Sequence, residues 1–375
     1  MSIEIKIGNR KIGENHPVFV VAEISANHHQ KYEEAVLLLK AAKEAGADAV
    51  KLQTYTPDTI TLNSDKEWFR VGGENNPDDW QKKTLYQLYQ TAYTPWEWQP
   101  KLKKLADELG IPLFSSPFDE TAVDFLRRMD VPCYKIASYE VNDFLLLRKV
   151  AQTGKPVIIS LGYASMEDAD FAIRTLRENG AKDIAALHCV TGYETEPDMT
   201  NMNLATIKDI TDRFSVVGGF SDNNAGIEAP LIAASAGASI IEKHLILSRS
   251  VGGPDARFSI EPAEFKLLVE KLKKGDYTTD EAVMSSALGR VNYGPASATE
   301  EHNKCFRRSL FISKDIKKGE RFTPENIRSV RPAFGLHTKH FDEIMGRTAA
   351  ADIEFGTPLS WDLIKAEDHE VWKSR

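Results

Sequence analysis

Lysine is out of place in the middle of an apolar run, yet it stands there twice, in Ala49-Val50-Lys51-Leu52-Gln53-Thr54 and in Cys133-Tyr134-Lys135-Ile136-Ala137-Ser138. Either lysine alone reads equally well as half of a buried ion pair, because an interior charge needs a partner. Taken with Ser138, Ser160 and Ser221 at the ends of similar runs, the pair points elsewhere. Two ammonium groups and several hydroxyls converging on one cleft bind a compact, multiply charged anion such as a phosphate or a phosphate-carboxylate. Gln53 lies two residues beyond Lys51, so a strand turns both to the same face. Glu23 closes another run, where it either neutralises a lysine or binds substrate hydroxyls and moves a proton. Glu242 and His244 also share a strand face, an arrangement in which a carboxylate and a neutral imidazole can stand beside a divalent metal. His188 on its own reads as a structural or exposed histidine.

The elements that must position these residues are short runs rich in Val, Ile, Phe and Ala, at 18–24, 49–52, 112–115, 133–137, 156–161, 185–189, 216–220 and 239–245. Continuous rather than alternating apolar runs suit strands buried on both faces, as in a parallel sheet covered by helices. Between them the spacing turns helical, as in Glu33-Ala35-Val36-Leu39-Lys40-Ala42, and these stretches close at Gly46 and Gly110, where a left-handed cap is wanted. Ser165-Met166-Glu167-Asp168 opens a further helix with a capping box. Repeated strand-helix units over about 250 residues predict a (β/α)₈ TIM barrel, which works from the C-terminal ends of its strands, where all the polar residues above fall. An open doubly wound sheet would give the same local signals, but no GxGxxG or GxxxxGK[ST] follows any run, and the barrel is preferred. The insertion at 56–95, carrying Trp68, Gly72-Gly73, Pro77 and Trp80, follows the second strand on the active face and is expected to contribute to a lid. Residues 3–12 predict a hairpin around Gly8-Asn9.

The chain has 375 residues, 47 Lys+Arg against 55 Asp+Glu, a net charge of −8 and 42% hydrophobic residues, the composition of a soluble protein with one large domain and one smaller. Lacking an apolar run of membrane-spanning length or a secretory leader pattern, it is expected in the cytoplasm. Cys133, Cys189 and Cys305 are widely spaced and predict reduced, structural thiols. The absence of a long basic stripe argues against nucleic acid as a partner. The expected organisation is a barrel over 1–274, a polar linker over 275–303 and a compact β-rich module over 304–375, with a strand at Arg308-Ser309-Leu310-Phe311-Ile312 and a helix start at Thr323-Pro324-Glu325.

Ala22-Glu23-Ile24-Ser25-Ala26-Asn27-His28, Gly46-Ala47-Asp48-Ala49-Val50-Lys51-Leu52-Gln53-Thr54, Tyr134-Lys135-Ile136-Ala137-Ser138, Gly154-Lys155-Pro156, Ile241-Glu242-Lys243-His244 and Gly253-Pro254-Asp255 together resemble, in order and spacing, the sialic acid synthase family over nearly the whole chain. The resemblance implies a barrel followed by an antifreeze-protein-like (SAF) domain, whose substrate-reaching loop is matched by Arg331-Pro332-Ala333-Phe334-Gly335-Leu336. It implies a phosphoenolpyruvate pocket of Lys51, Gln53, Lys135, Ser138, Ser160 and Ser221; in the expected chemistry Lys51 and Lys135 stabilise the departing phosphate and Glu23 or Glu242 manages the protons. The sugar side would be Glu23, Asp255 and Tyr193, with Arg331 matching an arginine contributed by the partner subunit of a domain-swapped homodimer. A divalent metal, Mn²⁺ or Mg²⁺, is implied by His244. Where a second metal-binding histidine is usual, however, the chain has Ser221-Asp222-Asn223, and an amide carbonyl is a harder, weaker ligand than imidazole. Tyr193-Glu194 likewise replaces a common Tyr-Pro.

Within the family, the stretches Thr56-Pro57-Asp58-Thr59-Ile60-Thr61-Leu62-Asn63-Ser64, Gly252-Gly253-Pro254-Asp255-Ala256-Arg257-Phe258-Ser259 and Phe334-Gly335-Leu336-His337 look closest to the members that make pseudaminic acid from phosphoenolpyruvate and a diacetamido trideoxyhexose. Legionaminic and N-acetylneuraminic acid synthases are the runners-up. A Schiff-base pyruvate aldolase using Lys135, and a non-catalytic sugar-binding member, are the competing readings.

Overall fold

The structure, a computed structural model, describes residues 3–70 and 83–366; Gly72, Gly73, Pro77 and Trp80 of the expected lid lie outside the described residues. Every apolar run of the sequence lands on a barrel strand. In chain order these are β3 (Phe19–Glu23), β4 (Ala49–Thr54), β5 (Leu113–Pro117), β6 (Tyr134–Ile136), β7 (Val157–Ser160), β8 (Ile184–Val190), β9 (Val217–Asp222) and β10 (Ile240–His244). All pairings are parallel, and β10 closes the ring on β3. Residues of β3, β8, β9 and β10 are buried throughout, because one face fills the barrel and the other meets helices. The register sets Glu23 beside Lys51 and Ser221 beside Glu242 before any side chain is considered.

The covering helices are α1 (Tyr32–Glu44), α2 (Gln99–Glu108), α3 (Glu120–Arg128), α4 (Phe144–Ala151), α5 (Met166–Glu178), α6 (Thr206–Phe214), α7 (Glu228–Ser235) and α8 (Pro262–Lys274). The box at the start of α5 forms as expected: Asp168 N donates to Ser165 Oγ and Ser165 N to Asp168 Oδ2, both at 3.1 Å. Ahead of the barrel, β1 (Glu4–Ile7) and β2 (Arg10–Gly13) form the expected antiparallel hairpin. Its Ile5, Ile7 and Ile12 pack with Phe19, Val157 and Ile240, which begin or nearly begin their strands, so the hairpin closes the N-terminal end of the barrel.

Residues 275–303 fold against the barrel. Asp280 Oδ1 caps the helix Glu281–Leu288 by accepting from Ala282 N and Val283 N, and Leu204 N donates to Ala287 O at 2.9 Å. A second helix, Ala298–Asn303, buries Glu300, whose carboxylate accepts from Thr191 N and Ala296 N at 2.7 Å each. The polar composition here records caps and docking contacts rather than a free tether.

The C-terminal module pairs β11 (Ser309–Ile312) with β12 (Ile327–Val330) and has its own core, including Leu310, Ile316, Phe322, Ile344 and Leu359, to which Leu145 of α4 is added. The helix start expected at Thr323-Pro324-Glu325 is a turn instead. Asn326 Oδ1 accepts from Thr323 N at 2.7 Å, and Ile327 N closes one turn on Thr323 O before the chain leaves as β12. Pro at a first-turn position favours helix initiation, but the following β-branched strand residues end it at once. Among the described residues, no helix is long and apolar enough to cross a membrane.

Candidate active site

The C-terminal ends of the barrel strands open into a cleft of about 800 Å³. Lys51 and Lys135 share it, from β4 and β6 on either side of β5. The Lys51 ammonium contacts the Glu23 carboxylate, lies 3.4 Å from Glu242 Oε1, and donates to Ser116 Oγ at 3.2 Å. Lys135 Nζ donates to Ser160 Oγ at 2.5 Å and to Ile136 O at 3.0 Å, and lies 3.8 Å from the same Glu242 oxygen. Ser221 Oγ donates to that oxygen at 3.0 Å. Three strands thus point two ammonium groups and a hydroxyl at one carboxylate oxygen carried by a fourth. The floor sets two ammonium groups against two carboxyl groups, and an incoming anion must replace Glu23 and Glu242 as the partner of the lysines.

Burial decides how these groups hold protons. It pushes the Glu23 carboxyl up to about 7, against the pull of the Lys51 ammonium and with the help of the neighbouring Glu242 charge. Burial pushes Glu242 the same way, but Lys135, Lys51 and the Ser221 hydroxyl outweigh it, and Glu242 stays below the usual carboxylate range. Lys51 is held above its ordinary value by Glu23 and Glu242 despite burial, whereas burial brings Lys135 below its own. Near neutral pH the two carboxylates therefore differ: Glu242 is anionic, and Glu23 can give a proton as well as take one.

Above the floor, Ser25 ties the walls together. Its amide donates to Glu23 Oε1 at 2.7 Å, its hydroxyl bonds Asp255 Oδ2, and Gln53 Nε2 donates to Ser25 Oγ at 2.9 Å. Ser25 does this from a left-handed backbone (φ +41°), which non-glycine residues rarely adopt. Gln53, expected among the phosphoenolpyruvate ligands, is accordingly turned toward the Asp255 side. Ser138 Oγ accepts from Gly162 N at 3.2 Å. Tyr193, also left-handed (φ +54°), packs its ring on Phe258 with its hydroxyl 3.4 Å from that of Tyr139.

Arg331 closes the wall from the C-terminal module. Nε and Nη2 donate to Glu140 Oε1 at 3.0 and 2.7 Å, Nη1 donates to Tyr89 Oη at 3.1 Å, and the guanidinium stacks over Tyr139 at 4.7 Å. The sequence reading placed this arginine in a partner's site; here it lies in the cleft of its own chain. The docking that brings it there is firm. Arg308, fully buried, donates to Glu140 Oε1, to Ser329 O and to Phe118 O. Thr299, His302 and Asn303 also reach the cleft, from a stretch whose composition had suggested only a linker, and Phe306 reaches it from the start of the C-terminal module.

The His244 ring makes no hydrogen bond among the described residues; its Nδ1 is buried without a partner, and burial keeps the ring neutral, with a pKa lowered to about 4. Asn223 Nδ2 donates to Cys189 Sγ at 3.4 Å, leaving Oδ1 without a protein hydrogen bond. Asp222 is turned away, to Lys243 Nζ at 2.6 Å and Asn224 N at 3.0 Å. No group of three His, Cys, Asp or Glu suited to a metal occurs among the described residues. One neutral imidazole and one amide oxygen nevertheless fit a hard divalent ion whose remaining ligands are substrate oxygens and water. His188 has a structural place, donating from Nε2 to Met202 O at 2.7 Å beside Phe220.

The pattern of the NeuB family matches residues 38–283, and that of the SAF domain matches 307–365. The chain is 43% identical to the pseudaminic acid synthase of Campylobacter jejuni strain 81-176, over 95% of this chain and 98% of that one. It is 42% identical to the pseudaminic acid synthase of Helicobacter pylori, over 93% and 98%. The crystal structure of the Bacillus subtilis spore coat polysaccharide biosynthesis protein SpsE superposes with a TM-score of 0.80 at 33% identity, covering 97% of this chain and all of that one. With matched sequence patterns, near full-length relatives and a shared fold, the chain belongs to the NeuB family.

Proposed function

We propose that this chain condenses phosphoenolpyruvate with 2,4-diacetamido-2,4,6-trideoxy-altropyranose and water, giving pseudaminic acid and phosphate. The observation that carries the reading is the convergence of Lys51 and Lys135 on one floor beneath an aromatic wall. Phosphate and carboxylate of phosphoenolpyruvate take the two ammonium groups and the Ser160 and Ser221 hydroxyls in place of the internal carboxylates. Tyr55, Tyr89, Phe118, Tyr139 and Phe258 line the upper cleft, where they suit the methyl groups of two acetamido substituents and of a 6-deoxy carbon.

The chemistry follows from the proton inventory. The sugar opens to its aldehyde, and the π electrons of the enol attack that carbon from C3, leaving cationic character at C2. Protonated Glu23 neutralises the resulting alkoxide. Its carboxylate then takes the proton of the water that adds at C2, restoring the starting state. Phosphate leaves with the bridging oxygen as the keto group forms, its charge held by Lys51 and Lys135. A divalent ion on His244 and Asn223 would add polarisation of the aldehyde oxygen. Because the starting form carries the proton on Glu23, kcat/KM falls as pH rises through about 7; Glu23→Gln, which cannot titrate, loses this limb, and a limb that persists in the variant assigns the proton to another group.

The deciding experiment is incubation with phosphoenolpyruvate and a panel of 2,4-diacetamido sugars and N-acetylmannosamine, reading product mass and phosphate. Phosphate released only with the altro sugar is the expected result. Release with the legionaminic precursor or N-acetylmannosamine instead moves the assignment to a runner-up, and none with any sugar supports a binding protein. With bridging-¹⁸O phosphoenolpyruvate the label leaves in phosphate; label kept in the sugar acid overturns C–O cleavage. Borohydride trapping of a pyruvate adduct on Lys135 would support the aldolase reading.

The assembly we infer is a homodimer exchanging C-terminal modules. Contacts closed within one chain, such as Arg331 with Glu140, are available unchanged between two copies, which is how domain swapping arises. Light scattering should give twice the 41.9 kDa chain mass; a monomer keeps Arg331 in its own cleft. The reaction belongs to the cytoplasm in this reading, where the free thiols Cys133, Cys189 and Cys305 stay reduced.

A further inference from the structure

The loop that carries Asp255 runs through two residues that only glycine tolerates well, Gly252 (φ +80°) and Gly253 (φ +118°). Such a segment has little conformational preference of its own and must be held from outside. Its flanks are anchored. On one side Arg249 bonds Glu264, and Arg249 N donates to Glu261. On the other, Ser259 Oγ bonds Asp255 O and receives Asn27 Nδ2 at 2.9 Å. The centre of the loop is met by His29, from the turn between β3 and α1.

His29 Nε2 lies 2.7 Å from Gly252 O, and Nδ1 lies 2.6 Å from Glu34 Oε2. Both partners are oxygens, a carbonyl and a carboxyl group, so the ring is held at both of its nitrogens. Glu34 is itself fixed by Lys31 at 2.8 Å on its other oxygen. A Cβ on Gly253 would stand 2.8 Å from His29 Nε2, so the absence of a side chain there is what lets the ring approach. The loop is thus stitched to the β3–α1 turn by His29 to Gly252 O, by Ser25 Oγ and Ala26 N to Asp255 Oδ2, and at its flank by Asn27 to Ser259 Oγ; the Ser25–Asp255 contact lies in the cleft.

We propose that His29 is a positioning residue: braced by Glu34, it clamps the Gly252–Gly253 backbone and thereby aims Asp255 at the amino sugar. The proposal rests on the synthase reading for its substrate. His29 is outside the cleft lining and bonds the loop that carries Asp255 rather than either lysine of the floor, so its main effect falls on the sugar.

His29→Ala raises the KM for the diacetamido sugar about tenfold, the scale of one lost charge-assisted hydrogen bond. The KM for phosphoenolpyruvate and the melting temperature stay near those of the parent, because the Asn27–Ser259 and Arg249–Glu264 anchors are untouched. His29→Gln, which can still donate to Gly252 O, recovers part of the loss and serves as the variant to measure if alanine does not fold. Backbone amide exchange over residues 250–256 in the free protein quickens in both variants, more in alanine. This last measurement needs no substrate, so it tests the clamp even if the parent shows no synthase activity. Unchanged exchange, an unchanged sugar KM, or equal rises in both KM values each overturn the proposal.

Discussion

Lys51→Met lowers kcat/KM for phosphoenolpyruvate by about a thousandfold, the scale on which removal of a preorganised charge stabiliser acts. The substitution keeps the length and apolar stem of the side chain and deletes only the ammonium. Two things then happen on the floor. The departing phosphate loses one of its two cations, and Glu23, still pushed up by burial and no longer pulled down by Lys51, holds its proton to higher pH than the parent value of about 7. The residual activity of the variant should therefore have its basic limb moved upward. Coupled phosphate-release assays across pH measure both effects, with a melting curve to confirm that the barrel is intact. A loss below tenfold in folded protein would mean that Lys51 is only the structural partner of Glu23.

Arg308→Met destabilises the fold by about 3–5 kcal/mol, the range for breaking a buried ion pair by removing one partner. Arg308 is among the largest fully buried side chains, lies between Glu140 and Asp143, and satisfies the carbonyls of Phe118 and Ser329. Without it, the Glu140 carboxylate and two carbonyls lose a donor and Asp143 loses its neighbouring cation at the seam between barrel and module. Urea unfolding should give a lower midpoint and a separate early transition of the module; an unfolding free energy within about 0.5 kcal/mol of the parent, the size of a surface substitution, would contradict this. The pH dependence has a fixed sign. Burial lifts Asp143 from 3.8 to about 6, partly offset by Arg308, so the folded state binds that proton more tightly and stability from this group declines as pH climbs from about 4 to about 6, then levels. In the variant the decline extends to higher pH.

The barrel was readable because two-sided burial writes itself as continuous apolar runs, and because Lys51 and Lys135 are conspicuous in them. Register did the rest, since Glu23 beside Lys51 and Ser221 beside Glu242 follow from parallel pairing alone. What stayed hidden has a common cause, contact between segments far apart in sequence. Glu300 looks like any surface glutamate until Thr191 N is found on it, 109 residues away. Ser25 had no assigned role because neither Asp255 nor Gln53 is its neighbour in the chain. The Thr323 turn was mistaken for a helix start because local propensity cannot see that β12 needs its residues for pairing with β11. Gln53 shares the face of Lys51 as expected, yet which substrate it meets depends on Ser25.

The hairpin covers the N-terminal end of the barrel and the cleft opens at the C-terminal ends of the strands, and that imposes a queue. The three-carbon acid must reach the lysines before the bulkier sugar settles above it, and after bond formation inorganic phosphate sits below a nine-carbon product that has to depart first. Inhibition patterns at steady state should then show phosphate competing with phosphoenolpyruvate for the empty protein, while the sugar acid blocks the way out as much as the way in.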